Sequence, residues 1–225
     1  GITYSLTLIT MTESKGKVLR EGEILRVEIE KVAHGGHFIA RHEGAVIFVR
    51  HAIPGEIVEV EITGLEKSFA RARVVAVIEA SPSRRQPPCH VSLQCGGCDF
   101  QHIDPARQRE LKSEVIAEQF ARIAKMEIEV EVEEVSSPLH WRTRYAATSN
   151  GRGEIGFIAD RSNDVVPTPS CPVLIPEIDI STLPTEKIAP GKRVEVALST
   201  QGERSIAVLD TRKSQRDQRS QAELV

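Results

Sequence analysis

The sequence predicts two successive domains, an all-β barrel and then a small α+β unit, and three features carry that prediction. Residues 24–78 read as short alternating strands punctuated by Gly and Pro. A proline-rich, basic stretch, SPSRRQPPC, follows and cannot continue a strand. Beyond it, one capped helix precedes further alternating segments, and all four cysteines of the chain fall in this second half.

In the first domain LRVEIEKV alternates apolar and polar residues, AVIFV is a compact apolar run, IVEVEI alternates again, and FARARVVAVI closes the series. Gly35-Gly36, Gly44, Pro54-Gly55 and Gly64 lie between these runs, where turns need special dihedrals or a preset φ. Four or five strands in so short a stretch make a small OB-like barrel, placed at residues 15–80. Residues 1–14 are expected to be a flexible extension. Their ITYSLTLIT segment lacks the basic start and small-residue cleavage signal of a secretory leader, and an extension ahead of Met11 is the simpler account. Residues 81–88 are expected to be an exposed linker.

The α+β domain is placed at residues 89–210. Asp104 caps a helix that Pro105 opens, with Leu111, Val115, Ile116, Phe120 and Ile123 as its apolar stripe and an end near Lys125. MEIEVEVEEV alternates strictly and predicts a strand. RTRYAATS and EIGFIAD form strands joined through Asn150-Gly151, and KRVEVALS with RSIAVLD forms a hairpin around Gln201-Gly202. Gly151, Gly153 and Gly156 spell G-x-G-x-x-G, but no helix-forming sequence follows, so a hairpin turn is expected rather than a dinucleotide-binding loop. Residues 211–225, charged and Gln-rich, are expected to be a flexible tail.

Composition bounds the function. With 40% hydrophobic and 27% charged residues the chain has the make-up of a soluble globular protein, and no apolar run approaches the roughly 18–20 residues that span a bilayer. The formal net charge of −3 means that any affinity for nucleic acid must come from locally grouped Lys and Arg. Without a secretory signal the chain is expected in the reducing cytoplasm, where four cysteines point to metal binding or redox chemistry rather than disulfides.

Cys89, Cys95 and Cys98 follow a C-x5-C-x2-C pattern in CHVSLQCGGC, and Cys171 lies far downstream in PSCPV. Three clustered thiolates and one remote closing thiolate match the style of iron-sulfur spacing, and Gly96-Gly97 lets the backbone turn tightly between two ligands. A tetrahedral zinc site fits the spacing equally well, although zinc knuckles more often show two C-x2-C halves. A redox C-x2-C pair fits less well, because Cys95 and Cys98 do not open the helix of a βαβ unit.

In the last barrel strand Phe69, Arg71 and Arg73 share one face by the two-residue period, a combination suited to stacking unpaired bases and contacting phosphates. The bland alternative is pairing of Arg71 and Arg73 with Glu59 and Glu61. Arg50, His51 and Lys67 are expected to supplement this face. His34, His37 and His42 are most simply exposed turn residues.

Several stretches together resemble the TRAM-containing RNA (uracil-C5)-methyltransferases: GEILRVEIEKVAHGGHFIARHEGAVIFVRHAIPGEIVEVEI, the FARARVVAVIEASPSRRQPPC bridge, CGGCDFQHI with Gln108 and Lys112, HWRTR, and the remote Cys171. The resemblance runs from about residue 16 to residue 210. It implies a TRAM barrel gripping RNA and a small central domain in which Cys89, Cys95, Cys98 and Cys171 hold a [4Fe-4S] cluster. It places Arg142 and Arg144, beside Trp141, near the RNA path, with pairing to the acidic stretch Glu127 to Glu134 as the alternative. Gln101, His102, Gln108 and Lys112 match the family pattern, and packing about the cluster explains them as well as RNA does.

Members of that family add a third, Rossmann-like domain that binds S-adenosylmethionine, adds a cysteine thiolate to uracil C6, methylates C5 and removes the C5 proton with a base, usually Glu. No catalytic residue is carried over here. All four cysteines are used as ligands, no S-adenosylmethionine loop follows Asp210, and a fragment without the Rossmann-like domain is expected. The function expected is therefore the RNA-binding and iron-sulfur portion of a monomeric enzyme, with ribosomal RNA the expected substrate and transfer RNA the alternative. Two other readings stand beside it: a zinc-stabilised, non-enzymatic RNA-binding adaptor, and an iron-sulfur electron carrier.

Overall fold

The computed structural model describes residues 19–183 and 188–210, so the expectations for residues 1–14 and 211–225 fall outside the described residues. It divides into two compact units, residues 37–80 with the segment up to Lys31, and residues 81 onward with Val32–Gly36.

The first unit is a closed barrel of five strands, β1 (Ile24–Val32), β2 (Phe38–His42), β3 (Ala45–Arg50), β4 (Ile57–Leu65) and β5 (Ala70–Glu79), ordered β1-β2-β3-β5-β4. Alternation is what closes it. Leu25, Val27 and Ile29 of β1, Ile47 and Val49 of β3, and Val58, Val60 and Ile62 of β4 all turn inward and are buried, while the glutamates and arginines between them face out. The β3–β5 pairing is parallel and sets Phe48 opposite Arg71 and Arg50 opposite Arg73. Beneath the Pro54-Gly55 turn Glu56 is fully buried, and its carboxylate accepts a hydrogen bond from the Ile53 N–H at 2.9 Å. That hydrogen bond makes burial of the carboxylate tolerable, and the turn, where Gly55 takes φ +86°, is tied back to β1 by backbone bonds from the Gly55 N–H to the Ile29 carbonyl at 2.8 Å and from the Ile29 N–H to the Glu56 carbonyl at 2.9 Å.

The second unit opens with a segment that is more than a linker. Residues 81–88 are partly buried, and the Arg85 and Asp104 N–H groups donate to His102 and Ser83 carbonyls at 2.9 and 2.8 Å, so the stretch runs antiparallel to residues 101–104. Helix α1 (Pro105–Gln119) starts as expected, with the Asp104 side chain accepting from the Ala106 N–H at 2.9 Å and Pro105 in the first turn. One π-turn (Phe120–Ala124) extends it, and Lys125 in the left-handed region ends it. The predicted stripe is only partly used: Leu111 is buried, whereas Ile116, Phe120 and Ile123 are exposed.

The alternating MEIEVEVEEV segment forms no strand. Ile128, Val130 and Val132 are half-buried with the glutamates outward, but no neighbouring strand supplies a ladder. Side chains hold the segment instead: the Val132 N–H donates to Ser113 Oγ at 3.0 Å, and Arg109 pairs with Glu134 at 2.6 Å.

The sheet of this unit contains β6 (Arg144–Ser149), β7 (Ile155–Ile158), β8 (Val165–Pro167), β9 (Lys192–Leu198) and β10 (Arg204–Asp210), in the order β10-β9-β6-β7-β8. Tyr145, Ala147, Ile155, Val194 and Val196 pack on its inner face with Leu174, Ile178 and Ile180 from the loop that follows β8. The G-x-G-x-x-G string is the β6–β7 turn. Asn150 Oδ1 accepts the Arg152 and Glu154 N–H groups, and a side chain on Gly156 would strike the Val166 carbonyl. No helix among the described residues is long and apolar enough to cross a membrane.

Candidate metal centre and nucleic-acid interface

Three separate pieces of chain bring the cysteines together. Cys89 and Cys95 bracket a tight loop in which the Cys95 N–H donates to the Val91 carbonyl at 2.8 Å, and both are buried. Cys95 then bridges to Ala159 just past β7, and the Gly96 N–H donates to the Ile158 carbonyl at 3.0 Å. Cys171 sits in the loop after β8. That loop is fastened to the chain entering β6, where the Trp141 and Arg142 N–H groups donate to the Val173 carbonyl at 3.1 and 3.0 Å. The result is one cavity lined by Cys89, Cys95, Cys98 and Cys171 together with Gln101 and Arg142.

Both glycines between Cys95 and Cys98 are required by this packing. A Cβ on Gly96 would lie 2.9 Å from the Ile158 carbonyl oxygen, closer than side chains approach backbone, and one on Gly97 would lie 3.3 Å from Cys95 Sγ. Gly96→Ala should therefore lower stability by about 1–3 kcal/mol, the usual cost of overpacking a site that must shift backbone, with Gly97→Ala the milder change. Denaturant midpoints of the two variants check this, and an unshifted Gly96→Ala midpoint would contradict the close approach.

The polar surroundings favour sulfur carrying negative charge. The Gly97 N–H donates to Cys95 Sγ at 3.3 Å, Gln101 bonds to the Cys98 sulfur while its Oε1 accepts the Cys89 N–H at 3.2 Å, and the Arg142 guanidinium faces Cys98. Burial nevertheless wins in the metal-free protein and pushes the Cys89, Cys95 and Cys98 thiols up, with mutual repulsion among the sulfurs adding to it. Since these thiols are protonated when metal-free and ligate as thiolates, binding a metal must expel protons and weaken as pH falls.

Because the thiolate is the nucleophile, alkylation of the half-exposed Cys98 in metal-free protein should be slow at neutral pH and keep accelerating past the ordinary thiol value. A rate that levels off near pH 7 would show that the thiols are already ionised. Among the described residues no three or more His, Cys, Asp or Glu side chains converge closely enough to hold a single ion.

On the barrel, Arg71 lies over the Phe69 ring at 4.9 Å, and Phe69 meets Phe48 edge to face at 5.1 Å. Phe48 is a member of this surface that the sequence reasoning missed, although its outward position between buried Ile47 and Val49 was the available signal. Arg73 pairs with Glu61 at 2.5 Å, as the bland alternative expected, whereas Arg71 pairs with Glu66 at 3.8 Å rather than with Glu59. Lys67 is exposed. Arg50 and His51 are 8% and 7% exposed, and His51 takes φ +63°, so these two belong to the barrel interior beside the Pro54-Gly55 turn rather than to an open face.

In the second unit Arg142 stacks over Trp141 at 5.3 Å, and Arg144 stands exposed on the outer face of β6. The acidic stretch draws Arg109 into its ion pair. Gln108 supports the α1 entry by donating to the Phe100 and Ile103 carbonyls, each at 2.9 Å, and His102 is buried.

Barrel and thiol cavity together define a protein with a TRAM domain, whose family model matches residues 18–75. The chain is related to RNA (uracil-C5)-methyltransferases over part of their length. It is 34% identical over 212 residues to an uncharacterized RNA methyltransferase of Corynebacterium glutamicum, covering 92% of this chain and 51% of that protein. It is 37% identical over 156 residues to the 23S rRNA (uracil(1939)-C(5))-methyltransferase RlmD of Shewanella amazonensis, covering 67% of this chain and 35% of that protein. The solved structure of the Pyrococcus abyssi tRNA (uracil-54, C5)-methyltransferase in complex with S-adenosyl-L-homocysteine shares the fold, with a TM-score of 0.55 at 21% identity over 81% of this chain and 45% of that one. The chain thus spans about half the length, or less, of the curated relatives it matches.

Proposed function

We propose that this chain is the RNA-binding and cluster-binding portion of an S-adenosylmethionine-dependent RNA (uracil-C5)-methyltransferase acting on ribosomal RNA in the cytoplasm. The observation that carries the proposal is the convergence of Cys89, Cys95, Cys98 and Cys171 on one cavity beneath a sheet, in a chain that opens with a TRAM domain.

Sulfurs ringed about a cavity suit a [4Fe-4S] cluster better than zinc. Around Zn²⁺, with bonds of about 2.3 Å, four thiolates crowd to roughly 3.8 Å of one another, whereas cluster ligands each meet a different iron and stand further apart. The four thiols here line one cavity. When bound, the cluster would tie together two stretches of chain far apart in sequence, Cys89–Cys98 and Cys171, which stabilises the unit by linking metal binding to folding. Gly97, Gln101 and Arg142 offset the charge its thiolates carry.

RNA is held by cation and aromatic groups of each unit: the half-buried Phe69 and Arg71 with the exposed Arg73 and Lys67 on the barrel, and the half-buried Arg142 with the exposed Arg144 in the second unit. No catalytic role is assigned to a residue of this chain, since its four cysteines are all placed as ligands. Two relatives that are at least 30% identical are named as 23S rRNA (uracil-C5)-methyltransferases, which favours ribosomal over transfer RNA as the substrate. Equilibrium binding of the purified chain to a 23S rRNA fragment and to tRNA across a salt series tests this. The expected result is tighter binding of the ribosomal fragment with a clear negative dependence on salt; salt-insensitive or absent binding to both would refute it.

A further inference from the structure

Tyr145 lies on the inner face of β6, 3% exposed, yet its hydroxyl has no hydrogen-bond partner. A buried hydroxyl left without an acceptor is destabilising, and buried tyrosines ordinarily find one. The surroundings show where an acceptor can come from. The Tyr145 ring packs edge to face on Phe157 at 5.4 Å, Phe157 lines the thiol cavity, and Cys171 packs against the same core group as Tyr145. A phenol is protonated at neutral pH and can donate. No cysteine sulfur lies within hydrogen-bond reach of this hydroxyl in the metal-free chain, and a metal-bound thiolate is a better acceptor than a thiol, so loading the neighbouring site is what would supply a partner.

We propose that Tyr145 is a positioning residue that donates its O–H to a sulfur of the loaded four-cysteine site, the Cys171 thiolate being the one that packs against the same core group. The proposal rests on the metal-centre reading above and extends it to a group outside the ligand set. A hydrogen bond to sulfur spreads the negative charge that builds up on reduction, so it raises the reduction potential and slows loss of the metal.

The test uses Tyr145→Phe in the full chain purified without oxygen, which removes the hydroxyl and keeps the ring. Val196→Ala serves as a packing control, because Val196 stands opposite Tyr145 in the β6–β9 register and is buried in the same core. Tyr145→Phe should load iron and sulfide as the parent does. Its one-electron reduction equilibrium should shift about tenfold toward the oxidised form, a midpoint lower by about 59 mV. A chelator should strip its visible absorbance several-fold faster. Metal-free Tyr145→Phe should be no less stable than metal-free parent, since only an orphaned hydroxyl is lost. Val196→Ala should lower stability and leave the midpoint in place.

A loaded Tyr145→Phe with the parent midpoint and the parent rate of loss overturns the proposal, as does an equal midpoint shift in Val196→Ala. A parent chain that binds neither iron nor sulfide sinks the cluster itself and Tyr145's role with it. That outcome is distinct from a normally loaded parent with an indifferent tyrosine.

Discussion

Cys171→Ser is expected to abolish cluster loading, dropping iron from about four per chain to below one, and to bring down the stability of the second unit with it. The physical reason is the sequence distance that this residue closes. Cys89, Cys95 and Cys98 lie within one loop, and Cys171 alone connects that loop to the strand-connecting segment after β8, where it packs against the core of Tyr145, Leu174 and Val196. Metal binding to four thiolates can contribute on the order of 10 kcal/mol to folding, far more than the serine substitution itself perturbs. The account therefore requires a difference between metal-bound and metal-free protein. Loaded parent and Cys171→Ser should differ widely in thermal midpoint, while the two metal-free forms should nearly coincide. Coincidence of all four would show that Cys171 is not a ligand.

Loss of the barrel's aromatic and cationic pair should have the second largest effect. Phe69→Ala with Arg71→Gln should weaken RNA binding by about tenfold to a hundredfold, since stacking of one base on an aromatic ring contributes about 1–3 kcal/mol. The ion pairs Arg71–Glu66 and Arg73–Glu61 do not stand against this. Exposed pairs are worth about 0–1 kcal/mol, so a phosphate with its released counterions can take the place of a carboxylate. Arg73→Gln alone should reduce the slope of log affinity against log salt by about one, with little preference among sequences. Fluorescence anisotropy with a labelled ribosomal fragment measures both quantities, and unchanged affinity in the double variant would move the RNA site off this face. Substitutions at the buried Arg50 and His51 are expected to act on barrel stability instead.

Much of this architecture was legible because period-two alternation reports burial directly. β1, β4 and β5 declare themselves in that way and β3 as a compact apolar run, but β2 does neither, since FIARH is short and carries charge at its end. β8 is three residues ending in proline, too brief to show any period. Alternation also misled at MEIEVEVEEV, because it specifies which side chains turn inward and not whether a partner strand exists. Ile128, Val130 and Val132 obey the pattern while only side chains from α1 hold the segment. The helix stripe failed for a related reason: Leu111 finds a core, and Phe120 and Ile123 do not.

The candidate site was partly legible. Cysteine spacing and the Gly96-Gly97 pair were enough to expect convergence, because a remote fourth thiol has little other use in a reducing compartment. What spacing could not supply was the environment of the sulfurs. Arg142, assigned to the RNA path by the family resemblance, reaches the thiol cavity because the chain entering β6 is bonded to Val173, two residues after Cys171. Tyr145 looked like an ordinary inward strand residue, and only its unpartnered hydroxyl sets it apart.

Iron, acid-labile sulfide and zinc, measured together on protein purified without oxygen, test the central claim most directly. About four iron and four sulfide per chain, with a brown colour that is lost in Cys171→Ser, is the predicted result. One zinc per chain with no sulfide would contradict it and leave a zinc-stabilised adaptor as the better description of this protein.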